Sequence, residues 1–222
     1  MLKFEKEMLD VLKALNEGGV LQHCIISGSW AMYFYNRIFK GFEPPIATTD
    51  FDIFFPSVSK IKESNITLLL SELHYIREDD YISEKTKYYS KDGFEIEFLT
   101  LPNRTMSNVI KIKSINIGAE ALPKMRPLMW NYISVEYNDL KVNIPSPSSY
   151  CLQKLLINKE RALSKQMKDI SAVKYVMSFV NSSQKYRDEF VESFQSLPKK
   201  WQKAVKEAIE IHLIQTPLEN LQ

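Results

Sequence analysis

Asp50 and Asp52 stand one residue apart at the head of an apolar run, Ile53-Phe54-Phe55. On a strand, residues i and i+2 share a face, so this spacing aims both carboxylates the same way. Two carboxylates beside buried hydrophobics repel each other unless a proton or a cation intervenes. Hard cations such as Mg²⁺ are commonly held by one or two carboxylates together with substrate phosphates. Upstream, the apolar run 24–26 ends at Ser27-Gly28-Ser29, and Trp30, Tyr33, Phe34 and Ile38 follow at the spacing of one buried helical face. Strand, tight turn and helix in that order leave free amides and the positive end of a helix dipole at the turn, which suits phosphate. Gly28 permits close approach to the backbone, and Ser29 adds a hydroxyl at the helix start. A phosphate turn followed by a paired-carboxylate strand points to metal-assisted phosphoryl chemistry on a nucleotide. The alternative for the acid pair is a solvated strand end.

Elements further along must bring any third acid to this pair. Asp92-Gly93 is a strong hairpin signal, and after it Phe94, Ile96 and Phe98 alternate with Glu95 and Glu97. The two glutamates therefore share a face. Transfer of a nucleotidyl group needs an aligned hydroxyl, neutralisation of developing charge and stabilisation of departing pyrophosphate. Two metal ions held by three carboxylates suffice for this. The third carboxylate can also help deprotonate the hydroxyl.

Gly28-Ser29 followed by Asp50-Phe51-Asp52 and then Glu97 resembles the nucleotidyltransferase superfamily related to DNA polymerase β. Within it, the chain is most similar to the bacterial branch that includes AbiEii-type toxins. The resemblance covers residues 25–100 well and 147–173 more weakly. It implies an α/β fold, a polymerase-β-type mixed sheet with flanking helices, followed by a C-terminal helical region. It also implies Mg²⁺ (or Mn²⁺) held by Asp50, Asp52 and Glu97, with those three as the catalytic acids and Glu95 pointing elsewhere. Gly28 and Ser29 would bind nucleotide, joined from the helical region by Lys154 and by the basic-acidic pair Lys168-Asp169 facing the triphosphate. Ala172 stands where those relatives often place a second acid. The segment between Ser29 and Asp50 is longer than the compact superfamily pattern. The implied reaction moves a nucleoside monophosphate from a nucleoside triphosphate to an acceptor hydroxyl on a protein, an RNA 3′ end such as that of tRNA, or a small molecule. A toxin-like enzyme fits this pattern.

Composition sets the frame. The 222 residues are 45% hydrophobic and 25% charged, ordinary for a soluble globular protein. A net charge of +2 gives no global field for nucleic acid, which disfavours a nucleic-acid-binding module. The two cysteines, Cys24 and Cys151, lie inside apolar patterns and read as reduced core residues. Lys3, Glu5, Lys6 and Glu7 interrupt the N-terminus, so no secretory leader is expected; no apolar run approaches the length of a membrane span, and a cytoplasmic location is expected.

The remaining elements read as follows. Residues 2–16 form a covering helix stopped by Gly18-Gly19. Residues 41–48, with Pro44-Pro45, form a loop. Residues 59–72 are helical, 75–100 are strands, and 105–144 are further strands with an Asn138-Asp139 turn. From Pro147 onward the chain is helical over 148–163, 167–181, 186–195 and 199–214, with a bend near 164–166. The expected domains are 1–145, the catalytic one, and 146–222, a helical one closing the cleft. Lys154 is otherwise a snorkelling lysine. Lys199, Lys203 and Lys206 share a face that reads as solvated, given Glu207 and Glu210 nearby. His23, His74 and His212 show no zinc spacing, and Ser29 lacks a hydrolase elbow. The competing reading from another class is a catalytically silent nucleotide-binding or protein-interaction module of the same fold.

Overall fold

Met8, Val11, Leu12 and Leu15 recur at helical spacing and are fully buried on one side of α1 (Glu5–Glu17), which Gly18 ends. The computed structural model describes residues 4–43, 48–104 and 107–221. Leu2 of the expected first helix and the Pro44-Pro45 segment of the expected loop lie outside the described residues. The chain forms two compact units, Met1–Pro123 with Ile133–Ile144, and Lys124–Tyr132 with Pro145–Gln222.

In the first unit, β1 (Ile25–Ile26) leads through Ser27 into α2 (Gly28–Tyr35), and β2 (Asp50–Phe55) returns beside β1. α3 (Ile66–Glu72), β3 (Ile76–Asp79), β4 (Thr86–Tyr89), β5 (Glu95–Thr100), β6 (Val109–Ile112) and β7 (Ile117–Ala121) follow. The sheet runs β1-β2-β5-β4-β3, and β7 pairs with both β5 and β6. β2 and β5 are parallel, while β4 is antiparallel to β5, so the sheet is mixed. The face of β2 and β5 carrying Phe51, Ile53, Ile96 and Phe98 is entirely buried. There Trp30 of α2 meets Phe51 and Phe94 edge-on, at 6.1 and 5.9 Å between centroids. Each such aromatic contributes about 2–3 kcal/mol by leaving water. β8 (Tyr132–Tyr137) and β9 (Leu140–Pro145) form a separate hairpin. Its turn residues Asn138 and Asp139 take φ of +47° and +62°, the left-handed pair that a tight hairpin turn requires.

The second unit is helical. α4 (Pro127–Trp130), α5 (Pro147–Ile157), α6 (Leu163–Ser182), α7 (Gln184–Gln195) and α8 (Lys199–His212) make it up. Pro147 occupies the first turn of α5, where its missing N–H costs nothing, and the Ser146 hydroxyl caps the helix by accepting from Ser149 N at 3.1 Å. α5 packs against the other four helices and buries Tyr150, Cys151, Leu152 and Leu155. The fold is thus mixed α/β with a helical C-terminal region.

Three boundaries differ from the sequence reading. The expected helix over 59–72 is a short 3-10 turn and then α3 alone, because Ser64 N bonds to Ser114 O and Ser64 Oγ accepts from Ile66 N, so the helix starts late. α4, with Pro127 at its first turn, interrupts the expected strand region. The bend placed at 164–166 falls instead at 158–162, and Ser164, Lys165 and Gln166 belong to the first turns of α6. No helix among the described residues is long and apolar enough to cross a membrane. Both cysteines are free and buried, with burial pushing the Cys24 thiol up to about 12 and raising that of Cys151 as well.

Candidate active site

Register places four carboxylates on one face of the two central parallel strands. Asp50 lies opposite Glu95 and Asp52 opposite Glu97, and alternation puts all four on the side away from Phe51 and Ile96. All four are half-buried. Glu95 N bonds to Thr49 O at 2.9 Å, which fixes the start of β5 against the start of β2. Asp50 Oδ1 accepts from Thr49 Oγ1 at 2.9 Å.

The turn at Ser27-Gly28 closes on the same place. Ser27 N donates to Asp52 O at 2.9 Å, continuing the β1–β2 pairing to the point where α2 begins. Gly28 takes φ +63°, a conformation that favours glycine. A Cβ added there would stand 1.9 Å from Asp52 Oδ2, so glycine is what lets this carboxylate sit against the start of α2. Ser29 follows in the first turn, half-buried. Gly28, Ser29, Asp50 and Asp52 are therefore brought together, with Glu97 and Glu95 alongside on β5.

The glutamates do not stand alone. Lys87 Nζ ion-pairs with Glu95 and with Glu97, and Lys85 Nζ lies 3.4 Å from Glu97 Oε1 while also pairing with Glu120. Burial pushes the Glu97 carboxyl up, but the hydrogen bond from Lys87 and the charge of Lys85 outweigh it and hold its pKa below the usual glutamate value. Burial alone would lower Lys87, yet its two glutamates raise it above an ordinary lysine. Glu95, expected to point elsewhere, shares both the face and the lysine of Glu97. These lysines were missed from the sequence: the loop spans 91–93, with Ser90 N bonded to Phe94 O, so Lys87 falls opposite Glu97, whereas a two-residue turn at Asp92-Gly93 would set it opposite Phe98.

Hard oxygen donors at one-residue spacing, pressed against a glycine, fit a divalent cation at Asp50 and Asp52 by their chemistry. Among the described residues, no group of three or more His, Cys, Asp or Glu side chains is arranged to hold a metal. In chemical terms the arrangement sets carboxylate oxygens beside the start of a helix, where backbone amides lack intrahelical partners.

The other expected site residues lie in the helical unit. Lys154, on α5, is buried and sits 2.9 Å from Asp169 Oδ1, with its ammonium 5.8 Å from the centre of the Tyr150 ring. Asp169 is buried on α6 and takes Arg161 Nη1 on its other oxygen, also at 2.9 Å. Asp169 thus serves as the common partner of two cations. Lys168, its neighbour, is exposed.

Two solved structures are similar along nearly their whole length. An antigenic nucleotidyltransferase-like protein from Paracoccidioides brasiliensis is 18% identical, with TM-score 0.48, covering 92% of this chain and 93% of that one. The antibiotic-resistance factor ANT(2'')-Ia is 12% identical, with TM-score 0.44, covering 93% and 96%. No curated protein matches the chain. The family model described as Nucleotidyltransferase matches residues 6–198, most of the chain's length, and with the turn and acid pair in that stretch the chain belongs to this family.

Proposed function

We propose that this protein transfers a nucleoside monophosphate from a nucleoside triphosphate to an acceptor hydroxyl, with Mg²⁺ or Mn²⁺ held at Asp50 and Asp52. The observation that carries this reading is the meeting of Asp52 with Gly28 at the start of α2, which supports it by setting a carboxylate against the beginning of a helix. Family membership supports nucleotidyl transfer as the class of reaction. The cation, when bound, screens phosphate charge and polarises the α-phosphate toward attack. Asp50 and Asp52 hold it, Gly28 and Ser29 receive phosphate oxygens, and Glu97 is the third acid beside Asp52. Lys154, Lys168 and Asp169 are assigned to the triphosphate on the resemblance to the AbiEii-like branch, which also suggests a toxin-like role. The acceptor is a protein side chain, an RNA 3′ end or a small molecule.

The test is incubation of the purified chain with each labelled nucleoside triphosphate, Mg²⁺ and cell extract. Label entering protein, RNA or small molecules identifies the acceptor class. Transfer that Asp50→Asn and Asp52→Asn each reduce by at least roughly 100-fold is the expected result, the scale for losing a main electrostatic stabiliser. Absence of transfer with every nucleotide, in a preparation that still binds nucleotide, establishes the silent module instead.

A further inference from the structure

Three neighbouring strands set Lys87, Glu97 and Asp52 in one row across the sheet, through the register of β4 on β5 and of β5 on β2. Adjacent strands stand about 4.8 Å apart, so this row is fixed by backbone pairing whatever rotamers the side chains adopt. Lys85 immediately precedes β4, two residues before Lys87, and reaches both Glu97 and Glu120. The two lysines thus engage the three glutamates of β5 and β7 on this face. Both are largely shielded, with side chains 18% and 28% exposed for Lys85 and Lys87, which strengthens the pairing relative to a surface ion pair.

This placement bears on how many cations the acid face accepts. A second divalent ion bridging Asp52 and Glu97 would have to displace Lys87 from Glu97 and then remain beside two ammonium groups. The ammoniums are tethered by the strand and cannot diffuse away, as a counterion would. We propose that Lys87, seated between Glu95 and Glu97, is a positioning residue that keeps Glu97 out of metal ligation, so that the face binds one divalent cation at Asp50 and Asp52. The Lys85 and Lys87 pair then supplies the positive charge that a second cation would bring. This deepens the reading above and rests on it, since it takes Asp50 and Asp52 as the cation site.

Mn²⁺ titration of the full chain tests it, with free Mn²⁺ read from its electron paramagnetic resonance signal. The wild type is expected to bind one equivalent, and Asp52→Asn to lose it. Glu97→Gln is expected to leave the count at one, since Glu97 is not a ligand. Lys87→Met is expected to raise the count to two by releasing Glu97, Lys87→Arg to leave it at one, and Lys87→Met with Glu97→Gln to return it to one. Two equivalents in the wild type, a loss of binding in Glu97→Gln, or a folded Lys87→Met that still binds one ion overturns the proposal. Glu97→Gln, nearly isosteric, decides the matter even if Lys87→Met does not fold. Failure of the underlying reading looks different: no bound Mn²⁺, or Mn²⁺ that survives Asp52→Asn, removes the cation site itself and the proposal with it.

Discussion

Gly28 joins backbone conformation to chemistry more directly than any other residue of the first unit. Its positive φ, and the mere 1.9 Å that would separate an added Cβ from Asp52 Oδ2, make alanine costly on two counts, strain and steric displacement of a carboxylate. Gly28→Ala is therefore expected to destabilise the chain by about 1–2 kcal/mol, the cost of a left-handed conformation at a non-glycine. Asp52 is expected to move with it, so turnover should fall by roughly 100-fold, more than the stability loss accounts for. Thermal melting and steady-state rates measured on one preparation check both halves, and a variant that keeps full turnover refutes the coupling. Glu97 adds a pH dependence. Its folded pKa lies below its ordinary value of 4.5, so its contribution to stability is complete above that value and is lost as pH falls through the folded one. Melting profiles should show the wild type losing more stability than Glu97→Gln as pH drops below about 4.5; parallel profiles count against the lysine clamp. The acid pair was legible because a strand's period of two is unambiguous over Asp50-Phe51-Asp52. The clamp was less so: a two-residue turn at 92–93 would set Lys87 opposite Phe98, one residue from its observed partner Glu97, and the reach of Lys85 to Glu120 depends on β5 pairing with β7, a long-range choice that no local pattern announces.

At the scale of elements, α5 and α6 are held together by a buried charge. Asp169 and Lys154 are 5% and 7% exposed, and removing one partner strands the other's charge in a low-dielectric site. Asp169→Asn is expected to cost roughly 3 kcal/mol, and to lower the melting midpoint by roughly 6–12 °C in a chain of this size. Calorimetry on the variant measures it, and a shift within a degree of wild type would show the pair to be dispensable. Lys154→Ala, by the proposed contact with the triphosphate, lowers kcat by roughly ten- to a thousand-fold, while Lys199→Ala on the exposed face of α8 does little; equal small effects from folded variants reject the assignment. The helices themselves were readable from their apolar spacing, and the hairpins from Asp92-Gly93 and Asn138-Asp139. The start of α6 was not, because Ser164-Lys165-Gln166 is an exposed first turn whose polar composition imitates a loop. α4, four residues long, is too short to show any period.

For the molecule as a whole, a net charge of +2 supplies no global field, so the proposed site at the start of α2 and the acid face has to recognise its ligands locally. A ligand that binds only the folded state stabilises it by mass action, by about 2.7 kcal/mol at a hundred times its Kd. Mg²⁺ with the correct nucleotide should then raise the melting midpoint by roughly 5–10 °C. Asp50→Asn combined with Asp52→Asn should abolish the shift, and a persisting shift would place the cation elsewhere. The mixed sheet followed by helices was legible from the order of turn signals and apolar runs. The path of the chain between its units was not, because nothing in Lys124–Tyr132 marks it as belonging with helices that come later. That path matters during synthesis. The chain crosses between units after Pro123, after Tyr132 and after Ile144, and domains form broadly in the order they are made. When residue 144 leaves the ribosome, every strand of the first unit exists, yet α4 does not have its partners. Leu128, buried in the finished protein, and Met125, which later meets Gln153, must wait for α5, and Asn131 waits longer still for Ser193. A nascent chain stalled there carries an apolar segment without its cover, and a gene cut at 145 gives a helical fragment with α4 missing from the surface of α5.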